Sequence, residues 1–242
     1  MVCMFIVSLI KKDNSIVDTA YGIGFLLITY STLYYYGTLS LPQIVVTLLI
    51  TIWALRLSYR IYRRNHGKPE DFRYKKWRET WKWFRLRSFF QIYMLQGGII
   101  VAIASVAMIV NSSVYTGAIW FVILGAIVWS IGFYFEARGD YELDQFIKNP
   151  ENKGKLMTEG LWMYTRHPNY FGETVMWWGL WIIGLSVVGG SFAIISPLLI
   201  TFLLLKVSGI PMLEAKYIGN TDYDAYKLRT NAFIPWKPRT LL

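Results

Sequence analysis

Apolar residues run along this chain in blocks too long for one face of a soluble helix, and the polar residues fall between the blocks. Residues 19–36, 42–59, 89–110, 118–135, 170–188 and 191–209 each approach the roughly 17 to 25 apolar residues that cross about 30 Å of hydrocarbon. A shorter run, MVCMFIVSLI at residues 1–10, is followed by Lys11 and Lys12. A secretory signal carries its positive charge in front, so this run reads as a short first span. The pattern predicts an all-α, polytopic integral membrane protein of about seven transmembrane helices, forming one membrane domain over residues 1–242. Polar residues that keep a helical pattern in WALRLSYRIYRRN and FYFEARGDYELDQFIK extend two of the helices beyond the bilayer. Thr221 with Asp224 three residues on predicts a short helix near the C-terminus, and Pro211 marks a break or the first turn of a new helix.

Composition agrees. With 55% hydrophobic and 17% aromatic residues in 242, the chain holds more apolar surface than a soluble domain of this size can hide. The lone Cys3 excludes an internal disulfide. Charge sharpens the picture. The connections 37–43 and 111–117 and the turn Gly189, Gly190, Ser191 carry none, whereas 56–88, 136–168 and 206–242 carry nearly all of it. From Arg56 to Arg87 stand twelve Lys or Arg against Glu70, Asp71 and Glu79, a net +9 out of +10 for the chain. By the positive-inside rule these segments face the cytoplasm, which with seven spans puts the N-terminus outside and the C-terminus in the cytoplasm. Orienting helices and meeting anionic membrane lipid accounts for such charge by itself; a soluble anionic ligand is the alternative. Nucleic acid fits poorly, because no recognition motif accompanies the basic residues.

Four polar clusters carry candidate chemistry. In RHPNYFGE, Pro168 starts a helix at His167 and leaves free backbone N–H groups beside Arg166, an end that attracts anions. Asn169 and Glu173 share a face of that helix, with Tyr170 adjacent, and an ionisable group inside a span is a functional candidate by default. In EARGDYELD, Glu136 and Asp140 are four apart and line one face, where paired carboxylates can do acid/base work, bind a metal, accept hydrogen bonds from ribose hydroxyls and amides, or simply form a solvated helix end. Without His or Cys at ligand spacing no metal is expected there. In RNHGKPEDFRY, a turn through Asn65, Gly67 and Pro69 presents Lys68 and Arg73, which with Lys153, Lys155 and Arg166 can make a cationic mouth for phosphates. The fourth cluster contains Glu214, Tyr217, Tyr223, Tyr226 and Arg229; tyrosines at such positions are often interface anchors. G-x-G-x-x-G, P-loop, G-x-S-x-G and H-E-x-x-H motifs are absent.

RHPNYFGE, preceded by GLWMYT and followed by a Trp-rich span, resembles the steroid 5-alpha-reductase family, in particular its bacterial branch of uncharacterised membrane proteins. DNSIVDTAYGIGF, NHGKPEDFRY, EARGDYELDQF, VSGIPMLE and YDAYKLRTNAFIPW resemble that branch in the same order, so nearly the whole chain is covered. The resemblance implies a seven-helix fold in a bacterial inner membrane with its cofactor site on the cytoplasmic side. It also implies NADPH-dependent reduction of a carbon–carbon double bond conjugated to a carbonyl in a lipid-soluble, steroid-like or isoprenoid substrate. Carried over by position, Asn169 and Glu173 match the family's Asn-aromatic-Phe-Gly-Glu motif, and Asp140 matches an Asp that follows an Asn by four; here that earlier position is Glu136, a departure. Lys68 and Lys155 stand where steroid enzymes tend to have Arg. Glu214, Tyr217, Tyr226 and Arg229 fall in a C-terminal pattern shared with related sterol reductases. Cofactor contacts are therefore expected from Asn65, Lys68, Arg73, Glu136, Asp140, Lys155, Arg166, His167, Asn169, Glu214, Tyr217, Tyr226 and Arg229, and catalytic roles from Tyr170 and Glu173. The Glu and Tyr that hold the ketone in steroid-reducing members have no evident counterpart. Two other readings stand beside this one. The isoprenylcysteine carboxyl methyltransferases also carry Arg-His-Pro-x-Tyr and bind S-adenosylmethionine, and a lipid-binding protein can keep such a fold without chemistry.

Overall fold

The computed structural model describes residues 1–240, whose regular structure is helical apart from one isolated antiparallel bridge between Tyr115 and Val187. The α-helices are α1 (Val2–Lys11), α2 (Ile16–Tyr36), α3 (Leu41–Asn65), α4 (Phe72–Thr80), α5 (Phe84–Ser88), α6 (Leu95–Ile103), α7 (Ser105–Ser112), α8 (Ile119–Lys148), α9 (Pro168–Gly184), α10 (Ile195–Phe202), α11 (Ile210–Glu214) and α12 (Thr221–Arg229). They gather into two compact units, Met1–Gly117 with Val187–Ala193, and Ala118–Ser186 with the chain from Ile194 onward.

Five stretches are long and apolar enough to cross a membrane: α2, α3, Phe84–Ile103 (α5 through α6), α8, and Gly190–Tyr217, which contains α10 and α11. Leu27, Leu48, Ile127 and Phe202 on these stretches are each more than half exposed, the apolar surface expected of an integral membrane protein whose solvent there is lipid. Two of the seven expected spans are shorter. α1 has 10 residues and α9 has 17, about 15 and 25 Å of helix respectively.

In the first unit α2 lies against α3 closely enough that a Cβ on Gly22 would sit 2.6 Å from the Ala54 carbonyl oxygen. Buried amides lock the same helices. Asn111 Nδ2 donates to the Thr29 carbonyl (2.9 Å) and to Thr32 Oγ1 (3.1 Å), and Gln43 Nε2 donates to the Asn111 carbonyl (3.1 Å). With no water in a bilayer core, such groups need protein partners. At the start of α2, the Tyr74 hydroxyl donates to Asp18 Oδ1 (2.7 Å) and Arg73 Nη2 donates to Asp18 Oδ2 (3.1 Å), which ties α4 to α2.

The second unit is organised by the pairing of α8 with α9. Gly125, Gly132 and Gly139 recur every seven residues on α8, and Gly172 and Gly179 do so on α9. The two rows face each other. A Cβ on Gly132 would meet the Gly172 carbonyl oxygen at 2.6 Å, one on Gly125 the Gly179 carbonyl oxygen at 2.5 Å, and one on Gly139 the Pro168 ring at 2.9 Å. Small residues at membrane helix interfaces let backbones approach and gain dispersion contacts where the hydrophobic effect gives none. Beyond α9, α11 begins with Pro211 in its first turn, as expected. α12 begins at Thr221, but its cap is Asn220, whose side-chain oxygen accepts from the Tyr223 N–H (2.9 Å). Asn is among the best cap residues, and it takes the role one position earlier than the Thr221–Asp224 spacing implies.

Gly132→Leu and Gly172→Leu are expected to lower the thermal midpoint in detergent, since overpacking costs about 1–3 kcal/mol. Gly98→Ala, where nothing lies within 4 Å of the added methyl, serves as the control and is expected to be neutral or slightly stabilising. A Gly132→Leu protein as stable as its parent would show that the glycine rows are not close-packed.

Candidate functional site

The glycine rows end at the mouth of α9, and there the candidate site is built. Pro168 occupies the first turn and His167 is the cap residue, without a side-chain cap bond. Because the first turn of a helix leaves backbone donors unpaired, this end carries positive potential. Gly139 lies under Pro168, and the Gly139 carbonyl also accepts from Trp162 Nε1 (3.0 Å), which fixes the loop between α8 and α9 over the mouth.

Arg166 and His167 are held by one carboxylate oxygen. Glu214 Oε1 accepts from Arg166 Nε (3.0 Å) and Nη2 (2.9 Å) and lies 3.1 Å from His167 Nε2. Arg166 Nη1 donates to the Thr230 carbonyl (2.6 Å). A carboxylate only accepts, so the His167 proton sits on Nε2 and leaves Nδ1 as an acceptor. That Nδ1 is buried without a hydrogen-bond partner. Burial holds the imidazole pKa below its ordinary value, with Glu214 opposing and Arg166 adding to the shift, so His167 is neutral at pH 7. The Tyr170 ring stacks on His167 at 5.7 Å between centroids.

The chain's last part closes the arrangement. The Arg166 N–H donates to the Asn231 carbonyl (2.9 Å), Thr165 Oγ1 donates to the Phe233 carbonyl (2.9 Å), and the Trp236 N–H donates to the Tyr164 carbonyl (3.0 Å). The Tyr226 hydroxyl donates to the Trp162 carbonyl, and Tyr217 stacks on Tyr223 at 4.3 Å. Burial pushes both the Tyr223 and Tyr226 hydroxyls well above the ordinary phenol range, so both are protonated donors at neutral pH.

These residues enclose a cavity of about 270 Å³. Its polar lining comes from Lys155, Arg166, His167, Lys216, Tyr217 and Tyr223, and its apolar lining includes Leu143, Phe146 and Met157. Five of the residues singled out in the sequence line it: Lys155, Arg166, His167, Tyr217 and Tyr226. Glu214 stands behind two of them. Asn169 and Asp140 meet each other, Asn169 Nδ2 donating to Asp140 Oδ1 (3.3 Å), and Glu136 and Asp140 are both buried on α8. Glu173 is half-buried on α9, and Arg229 is exposed in the last turn of α12. Asn65 and Lys68 line a cavity of the first unit. Arg73 is already engaged by two carboxylates, Asp71 Oδ1 at 2.9 Å and Asp18 Oδ2 at 3.1 Å; burial opposes its charge and these partners outweigh that.

The sequence reading passed over Trp162, Lys216 and Asp18. Lys216 adjoins Tyr217, and Trp162 precedes RHPNYFGE by four residues, so proximity was the only signal for either. Asp18 carried a stronger one, as an acid immediately before the apolar run 19–36, in the first turn of α2.

An all-helical integral membrane protein with a cationic, aromatic-lined pocket at one helix mouth is the class defined by these observations. Residues 4–230 match the family model described as "Protein of unknown function (DUF1295)", and the chain belongs to that family. It is 27% identical to the uncharacterized protein C594.04c of Schizosaccharomyces pombe over 74% of this chain and 59% of that protein. Shorter stretches are similar to two enzymes. The probable O-methyltransferase ustE of Ustilaginoidea virens is 38% identical over 27% of this chain and 22% of its own length. The 3-oxo-5-alpha-steroid 4-dehydrogenase 1 of Bos taurus is 34% identical over 29% of this chain and 27% of its own length. The chain thus spans less than two thirds of each of these relatives. No solved structure gives a significant match.

The depressed His167 pKa sets a pH dependence. Below about pH 6.5 the unfolded chain binds a proton that buried His167 resists, so stability falls as pH falls through that value. Thermal midpoints in detergent between pH 7.5 and 5 are expected to show this slope, and His167→Gln is expected to flatten it. An equal slope in the variant would assign the acid sensitivity elsewhere.

Proposed function

We propose that this protein is an NADPH-dependent membrane reductase acting on a carbon–carbon double bond conjugated to a carbonyl in a lipid-soluble substrate. The observation that carries the reading is the cavity at the mouth of α9, where Lys155, Arg166, Lys216 and the stacked pair Tyr217 and Tyr223 converge. The similarity to the bovine 3-oxo-5-alpha-steroid 4-dehydrogenase supports the same class.

The lining fits part of such a cofactor. At about 270 Å³ the cavity lies just under the roughly 300 Å³ at which small-molecule pockets begin, enough for one nucleoside-sized half of a dinucleotide. Lys155 and Lys216 supply positive charge for phosphate, and Tyr217 and Tyr223 supply flat apolar faces and hydroxyl donors. Asn169, fixed by Asp140 and by its own bond to the Tyr170 N–H (3.0 Å), presents the amide edge of the helix start.

When bound, NADPH supplies a hydride to the substrate. The chain then has two tasks: to stabilise negative charge on the carbonyl oxygen and to deliver a proton to the alpha carbon. Tyr170 and Glu173 are our candidates for these tasks, being one turn apart on α9. The stack on His167 restricts the Tyr170 ring to one orientation, which suits a positioned donor. In this reading seven helices cross the membrane with the C-terminus and the basic loops on the cytoplasmic side, where the nucleotide is available.

A second reading is an S-adenosylmethionine-dependent methyltransferase, favoured by the similarity to the Ustilaginoidea virens protein. Both cofactors bring an adenosine, so the cavity alone does not separate them.

Titration of the purified protein with each cofactor, followed by tryptophan fluorescence through Trp162 in the cavity wall, separates the two. NADPH is expected to bind, and Lys155→Ala or Tyr217→Ala to weaken it by on the order of tenfold, the loss of one charged or stacking contact. Incubation of membranes with NADPH and a panel of lipid enones is expected to add two hydrogens to a substrate, read by mass spectrometry, and Glu173→Gln to slow that turnover. Binding of S-adenosylmethionine alone would overturn the reductase reading.

A further inference from the structure

The first unit contains a larger cavity, about 610 Å³, that the proposed chemistry does not use. It has two distinct ends. At one, Lys11 and Lys68 stand with Asp13, Asn65 and His66 around the start of α2, which contributes Ser15 and Ile16. From there the lining turns apolar along α1 and α2 through Val7, Ile23 and Leu27. The path along α2 from Ile16 to Leu27 is about 17 Å, comparable to an extended acyl chain. Ile23 and Leu27 are about half and two thirds exposed, so the apolar end is open to the lipid that surrounds a spanning helix.

The polar end carries excess positive charge. Among the described residues neither Lys11 nor Lys68 has a carboxylate within ion-pair distance. Asp13 is the one acid in the lining, and its Oδ1 already accepts from the Ser15 N–H (2.8 Å). His66 packs beside Tyr62 at 5.0 Å between ring centroids. The positive end of the α2 dipole is offset by Asp18 in its first turn and by Glu70, which accepts from the Asn14 N–H (2.8 Å), so the two lysines carry the excess charge. Ser15 does not cap that end with its side chain, because Ser15 Oγ accepts from the Asp71 N–H (2.8 Å) instead. Two ammonium groups thus face the one carboxylate of the lining, at the polar end of an apolar slot.

We propose that this cavity binds an anionic phospholipid, with its phosphate between Lys11 and Lys68 and one acyl chain lying along α1 and α2. A free phosphate would leave the apolar lining without a ligand, and a zwitterionic lipid would place an extra cation beside the lysines. The apolar lining and the unpaired charge therefore select the same amphiphile.

Native mass spectrometry of the full chain in detergent tests this, using phosphatidylglycerol, phosphatidylcholine and inorganic phosphate as probes. One phosphatidylglycerol is expected to be retained in preference to phosphatidylcholine by on the order of tenfold, from two lysines partly offset by one aspartate. Lys11→Gln combined with Lys68→Gln is expected to bring that ratio close to one while the helical circular dichroism is retained. Cys3, the chain's single cysteine, also lines the cavity and is exposed, so it gives an independent reading. Its maleimide labelling is expected to slow severalfold with phosphatidylglycerol in the parent and to be indifferent to it in the double variant. Equal retention of the two lipids by the parent, an undiminished preference in the double variant, or displacement of phosphatidylglycerol by inorganic phosphate would overturn the proposal.

Discussion

The closeness of α8 to α9 is the constraint on which the second unit depends. Glycines seven residues apart on each helix remove the side chains that would otherwise hold the backbones apart, and the carbonyl oxygens of Gly172 and Gly179 occupy that space. A seven-residue repeat keeps a single seam in register along two helices. The seam continues to Gly139, directly under Pro168, so the start of α9 is fixed relative to Glu136 and Asp140 on α8. Everything placed at the mouth, from the stacked Tyr170 to the shared Glu214, inherits its position from that fit.

Polarity at the mouth is arranged so that few groups are left to solvent. Glu214 neutralises Arg166 and selects the His167 tautomer with the same oxygen, and the backbone of residues 230–236 takes up the remaining donors of Thr165 and Arg166. Arg166 is therefore a structural cation as much as a binding one. The cavity beside these groups is left to the lysines and tyrosines that line it.

Much of this was legible in the sequence where local chemistry decides it. Pro168 and Pro211 mark helix starts because proline fits only the first turn, and both do so here. Five apolar blocks produced stretches of spanning length because hydropathy is a property of composition. Pairings across the chain were not legible. The reading put Arg73 among phosphate ligands, and only the fold brings Asp18 to it from 55 residues away. It grouped Lys68 with Lys155, whereas Lys68 lines a cavity of the first unit. The seven-residue spacing of the α8 glycines was visible in the sequence and was not singled out; what they meet depends on a helix some 40 residues further on.

The glycine seam also limits how this unit can move. Two helices meshed at a seven-residue repeat cannot shift by a fraction of that repeat without driving backbone atoms together, so α9 is a poor sliding element. The arm formed by α11 and α12 is differently joined. It follows a π-helical turn at Leu203–Val207 and a bend at Ser208 and Gly209, whose N–H groups both donate to the Leu203 carbonyl. Any displacement of this jointed arm, which carries Glu214, Lys216 and three tyrosines, would have to break the Glu214–Arg166 ion pair and the Tyr226–Trp162 hydrogen bond together.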